Sequence, residues 1–152
     1  MIKDITMKIA FGCDHAGIDV KDKLISFLKS LGHEVIDCGT DSKESCDYPD
    51  FALKVAQNVV SKNADKGILI CGTGIGMSIA ANKVKGIRAA VCWSKETAQL
   101  IAQHNNANIM CAGARFATVD DICLWIKTFL ETEFEQRHIK RINKISQIEQ
   151  QY

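Results

Sequence analysis

Short apolar runs rich in β-branched residues alternate along this chain with longer stretches in which apolar positions recur every three or four residues. That is the pattern of a parallel sheet wrapped by helices. The runs predict strands over residues 8–13, 34–37, 67–71, 87–93 and 108–112, enough for a doubly wound five-stranded sheet. Between them, Val20, Leu24, Phe27, Leu28 and Leu31, and then Phe51, Val55, Ala56, Val59 and Val60, predict helices with one face on the sheet. Gly32 stops the first, and Pro49 suits the start of the second. Further helices are expected over 76–82, 95–103 and 119–130, the last two opened by the capping residues Ser94 and Thr118. A final helix is expected from about Glu133 to Gln150. In it Ile139, Ile142, Ile145 and Ile148 recur every three residues, so their stripe drifts around the helix and either completes the core or packs on a second subunit.

Composition narrows the class without changing the fold. The 152 residues, 47% hydrophobic and 24% charged, predict one domain spanning 1–152, with a core from about 7 to 150 and a loose extension over 1–6. Nineteen basic against eighteen acidic residues leave a net charge of +1, which argues against nucleic acid or an anionic membrane as partner. The apolar runs are far shorter than the ~20 residues a membrane helix needs, and the N-terminus has no secretory pattern. Seven cysteines without a CxxC pair point to free thiols in a reducing, cytoplasmic setting.

Ligands of a doubly wound sheet bind beyond the carboxyl ends of its strands, so the residues just past each strand are the candidates. Cys71-Gly72-Thr73-Gly74-Ile75-Gly76-Met77-Ser78 follows an apolar strand and enters a helix. Its glycines let backbone N–H groups converge on an anion, although a tight turn with close helix packing would use them equally well. Met77 stands where the dinucleotide fingerprint needs glycine, and no Gly-Lys-Ser/Thr follows, so nucleotide binding is disfavoured. Cys71, at a strand end beside a helix start, is either a thiolate base or nucleophile or an inert packed thiol. Asp14-His15 and His104-Asn105 each pair an acid/base group with a polar neighbour, or else serve as local caps. Arg137, Arg141 and Lys144 share a face of the predicted last helix, as a solvated basic face or an oxyanion clamp. The cysteines and histidines lack metal-ligand spacing, and no cofactor is expected.

Taken together, Ile9-Ala-Phe-Gly-Cys-Asp-His15, Asp47-Tyr48-Pro49, residues 67–76, Gly86-Ile87-Arg88-Ala89, Gln103-His104-Asn105 and Arg137-His138 with Arg141 resemble the type B ribose-5-phosphate isomerase family. The likeness runs from Met7 to about Gln150. It implies a three-layer α/β sandwich with a C-terminal helix, and homodimers or dimers of dimers with sites between subunits. It also implies interconversion of ribose 5-phosphate and ribulose 5-phosphate, a step of the pentose phosphate pathway, through an enediolate.

By the same resemblance, Cys71 is the carbon base and His104 opens the sugar ring, with Asp14 orienting or exchanging that proton. Thr73, Ser78 and the Gly72, Gly74, Ile75 and Gly76 amides hold sugar and enediolate oxygens, and Tyr48 lines the pocket. Arg137 and Arg141, with Arg115 and His15, bind the phosphate, and Asn105 binds a hydroxyl. Family members acting on galactose 6-phosphate or allose 6-phosphate leave a hexose phosphate as an alternative. A catalytically silent sugar-phosphate sensor is another, disfavoured by the presence of both Cys71 and His104.

Overall fold

A computed structural model describes residues 5–152; most of the expected extension, Met1 to Asp4, lies outside the described residues. Five strands form one parallel sheet: β1 (Lys8–Cys13), β2 (Glu34–Asp37), β3 (Lys66–Cys71), β4 (Ala89–Val91) and β5 (Ile109–Gly113), in the order β2-β1-β3-β5-β4. Six α-helices flank it: α1 (Ile18–Ser30), α2 (Tyr48–Val60), α3 (Ile75–Ala81), α4 (Lys95–Gln103), α5 (Val119–Glu131) and α6 (Ile139–Gln151).

The alternation of side chains along each strand sorts the core into two layers. Ile9, Phe11, Ile68, Ile70, Met110 and Ala112 meet α1, α4 and α5 on one face. Ala10, Leu69, Cys71, Ile109 and Cys111 meet α2 and α3 on the other. The expected three-layer α/β architecture is therefore present, and Cys71 belongs to the α2/α3 side. Strand order reverses between β1 and β3, so their carboxyl ends open a crevice at that point.

β3, β5 and α5 differ from the expectation by one residue at one or both ends, and other elements differ as well. The fourth strand is Ala89–Val91, shorter than 87–93. Arg88 N–H is turned to Asn108 Oδ1 (2.8 Å) before the strand begins, and Trp93 N–H to Thr97 Oγ1 (3.0 Å) after it ends. The second helix begins at Tyr48, with Pro49 inside its first turn. The third starts one residue early, at Ile75. The last helix does not start near Glu133: Thr132 is extended, Glu135 N–H donates to Gln103 O (2.9 Å), and a 3-10 turn, Gln136–His138, precedes α6. That bond draws the connection to the end of α4 and takes it out of helical geometry. Arg137 therefore sits in the turn, not on one helical face with Arg141 and Lys144. Of the isoleucine stripe only Ile142 is buried; Ile139, Ile145 and Ile148 are exposed.

Lys21, on α1, is 4% exposed. Its ammonium meets Asp37 Oδ2 at 2.9 Å, Asp41 Oδ1 at 2.7 Å and Thr40 O at 2.9 Å, pinning the segment after β2 to α1. Burial opposes the charge, but the hydrogen bonds that Lys21 donates to both aspartates outweigh it and raise the Lys21 pKa, while Asp41 is held below the usual carboxylate range by Lys21. The pair thus stabilises the fold between two limits. Its contribution is lost as pH falls through the depressed Asp41 pKa and as pH rises through the raised Lys21 pKa. Lys21→Met is expected to cost about 1–3 kcal/mol in urea denaturation at pH 7, the range for hydrogen bonds to a charged group, and to flatten stability above pH 10 relative to wild type.

Candidate active site

The crevice between the ends of β1 and β3 is a small cleft of about 180 Å³ walled by Asp14, His15, Tyr48, Cys71, Gly72, Thr73, Gly76 and Arg115. Asp14 directly follows β1, and its backbone N–H donates to Ile70 O (3.3 Å). Its Oδ1 also accepts from Ala16 N–H (3.0 Å), capping the 3-10 turn His15–Gly17. Local capping is therefore realised at a residue that still lines the cleft. His15 Nδ1 accepts from Cys46 N–H (3.2 Å), so in the neutral ring the proton sits on Nε2.

The turn after β3 is shaped by one glycine. Gly74 has φ +80°, and a Cβ there would lie 2.9 Å from the backbone of Ala112 on β5. In this left-handed conformation its N–H donates to Cys71 Sγ at 3.1 Å, so a backbone dipole faces the sulfur. The next amide, Ile75 N–H, is taken by Thr73 Oγ1 (3.2 Å), and the Ser78 hydroxyl donates to Ile75 O (2.7 Å). Arg115 is fastened over the same turn by its N–H to Gly72 O (3.1 Å), with its guanidinium against Gly72. The ring of Tyr48 fills the space a side chain at Gly76 would need.

Burial pushes Cys13 and Cys92 up to about 12 and Cys111 well above the ordinary thiol value, so these three stay protonated near neutrality.

The remaining predicted residues lie elsewhere. His104 caps the carboxyl end of α4, and its ring is 4.4 Å from that of His138. Arg141 Nη1 is 3.3 Å from His138 Nδ1, and Arg137 pairs with Glu135. Asn105 lines a separate cavity with Arg88 and Ile145. The predicted site is thus split in two within one chain. Cys71 pairs with Gly113 at the carboxyl end of β5, whereas His104 precedes Ile109, the first residue of that strand. Four strand steps, roughly 13 Å at ~3.3 Å each, separate those ends.

The sequence places His138 in the Arg137-His138 pair and gives it no role of its own. It is nine-tenths buried, its Nε2 has no hydrogen-bond partner, and burial lowers its pKa, with Arg137 next. The Arg-His-x-x-Arg spacing was the available signal. Among the described residues no three His, Cys, Asp or Glu side chains are grouped to hold a metal ion, and no helix is long and apolar enough to cross a membrane.

A doubly wound sheet with a thiol, a carboxylate, an imidazole and an arginine converging at its switch point defines a small-molecule site of the acid/base kind. Comparison with known proteins specifies the class: residues 9–145 match the model of the Ribose/Galactose Isomerase family, and the chain belongs to that family. It is 46% identical to the ribose-5-phosphate isomerase B of Escherichia coli over 144 residues, 94% of this chain and 97% of that one. The solved structure of Clostridium thermocellum ribose-5-phosphate isomerase B superposes with a TM-score of 0.94 at 51% identity, covering 96% of this chain and 99% of that one. That of Mycoplasma genitalium ribose-5-phosphate isomerase B with bound ribulose-5-phosphate does so with 0.91 at 41%, covering 95% and 97%.

Gly74→Ala combines a left-handed alanine with a clash against β5. It is expected to lower the melting temperature and cost at least about 1 kcal/mol, in the range of backbone strain at such sites; an unchanged melting curve would show that the turn relaxes without cost.

Proposed function

We propose that this chain interconverts ribose 5-phosphate and ribulose 5-phosphate through an enediolate, with Cys71 as the base at carbon. The observation that carries this reading is the Gly74 N–H···Sγ contact of Cys71 at the floor of a cleft that also holds Asp14, His15 and Arg115. A base beside an acidic C–H, with donors for a developing oxyanion, is what an aldose–ketose isomerisation requires.

The reaction moves two protons and no electrons leave the sugar. On the open-chain aldose, the Cys71 thiolate takes the C2 proton and the carbonyl oxygen O1 becomes enediolate. Return of a proton to C1, with transfer of the O2 hydroxyl proton to O1, gives the ketose. The amides of Thr73 and Gly76 are available to the oxyanion, since Gly74 and Ile75 N–H are already engaged at Cys71 and Thr73. Thr73 Oγ–H assists at the sugar oxygens, and Asp14 exchanges their protons. The Ser78 hydroxyl proton is committed to Ile75 O, so this side chain contributes an acceptor.

The furanose must open first, and His104 is the acid/base group for that step. Because His104, Asn105, Arg137 and Arg141 stand away from Cys71 in the same chain, we assign them to the cleft of a second copy. The exposed residues Ile139, Ile145 and Ile148 of α6 supply apolar surface for that pairing, and a closed two-fold dimer gives two equal composite sites. The two arginines then meet the phosphate together with Arg115 and His15. A reducing cytosol suits a site that depends on a free thiol.

Cys71→Ala is expected to retain ribose 5-phosphate binding within a few-fold by calorimetry while turnover falls at least ~100-fold, the lower range for losing a general base. Turnover near that of wild type would remove Cys71 from the mechanism.

A further inference from the structure

Gly86-Ile87-Arg88-Ala89 is a motif of this chain to which the resemblance assigns no role, and the structure gives one to Arg88. The turn between α4 and β5, residues 104–108, carries His104 and Asn105 and contains Asn106 at φ +47°, a left-handed conformation that asparagine adopts more readily than other non-glycine residues. Both ends of this turn are held: His104 N–H donates to Leu100 O (2.9 Å), Asn108 N–H to Arg88 O (3.0 Å), Gly67 N–H to Asn108 O (2.9 Å) and Lys66 Nζ to Ala107 O (3.2 Å). Ala107 N–H donates to Ile101 O (2.9 Å), and Asn108 is locked by its Oδ1 to Arg88 N–H (2.8 Å) and its Nδ2 to Gly86 O (2.8 Å). The carbonyl of Asn106 itself accepts from Arg88 Nε–H at 2.8 Å.

Arg88 is half-buried and walls the same cavity, about 240 Å³, as Asn105 and Ile145. The segment also reaches α6, where Glu149 Oε1 accepts from Gly86 N–H (2.7 Å) and its charge acts on Arg88. One side chain therefore latches the left-handed residue directly after the His104-Asn105 pair, from a segment that also anchors the helix carrying Arg141.

We propose that Arg88 is a positioning residue: its Nε–H···O bond to Asn106 fixes the turn that presents His104 and Asn105 to the sugar. This rests on the reading of His104 as the ring-opening group. A guanidinium fork held at a fixed angle does this, and an ammonium on a flexible stem does not reproduce it. Arg88 touches no reacting atom. Its loss affects the His104 half of the reaction and spares the Cys71 half.

Two assays on one dimeric enzyme separate the halves. Turnover of ribose 5-phosphate needs ring opening, whereas deuterium exchange into C1 of saturating ribulose 5-phosphate, an open-chain ketose, needs only the carbon base. Arg88→Met is expected to lower ribose 5-phosphate turnover about 10- to 100-fold, the range for displacing a catalytic group by ~1 Å, with exchange kept within ~3-fold. Arg88→Lys, which keeps the charge, should show the same selective loss and carries the test if the methionine variant does not fold. In an Arg88→Lys/His104→Ala double variant the two losses should not add. Equal loss in both assays, additive losses, or wild-type turnover of both variants would overturn the proposal. Normal ribose 5-phosphate turnover in His104→Ala alone would instead overturn the assignment of His104.

Discussion

In a parallel sheet every strand runs the same way, so every helix that connects two strands must run back. Whatever such a helix carries at its carboxyl end is delivered to the amino end of the sheet. Here that rule separates the two groups of polar residues. Asp14 and Cys71 follow β1 and β3 and face the crevice at the carboxyl ends, while His104 follows α4 and stands near the start of β5. Side-chain motion does not bridge a gap of several strand residues. In the proposed dimer a second copy, turned over by a two-fold axis, would bring the amino-end residues of one chain to the carboxyl-end crevice of the other. The proposed composite site follows from that single constraint.

Within the crevice the chemistry depends on how closely the turn after β3 can approach β5. Gly74 passes over Ala112 with no room for a side chain, and in doing so aims its N–H at the Cys71 sulfur. A larger residue would move the turn outward, taking with it both that dipole and the amides proposed to meet the enediolate. Tyr48 and Arg115 pack against the neighbouring glycines, so cleft walls and turn form one unit. The fully buried thiols of Cys13, Cys92 and Cys111 are raised by desolvation and lie outside this cleft.

Much of this was legible in the sequence. Apolar periodicity placed all five strands and the helices of the sandwich because each element buries a continuous face, and caps such as Ser94 and Thr118 are realised as capping boxes. The errors fell where tertiary bonds override local pattern. Arg88 and Trp93 read as strand until their amides are seen bonded to side chains, and residues 133–138 read as helix until the Glu135–Gln103 bond pulls them aside. The glycine turn and the Asp14-His15 pair were visible because strand ends are where open α/β sheets put ligands. The resemblance implied sites between subunits, but which residues of one chain fall on which side, and the bonds made by Lys21 and Arg88, were not visible, because each depends on which distant segments are brought together.

Subunit complementation tests the composite site most directly. Cys71→Ala and His104→Ala chains, each inactive alone as homodimers, are unfolded together, refolded and assayed on ribose 5-phosphate. Random pairing makes half the dimers mixed, and each mixed dimer carries one intact site and one doubly impaired site. The account predicts recovery of about a quarter of wild-type turnover per chain. A refolded mixture that contains mixed dimers yet stays as inactive as its parents would place Cys71 and His104 in the same chain's site and contradict it.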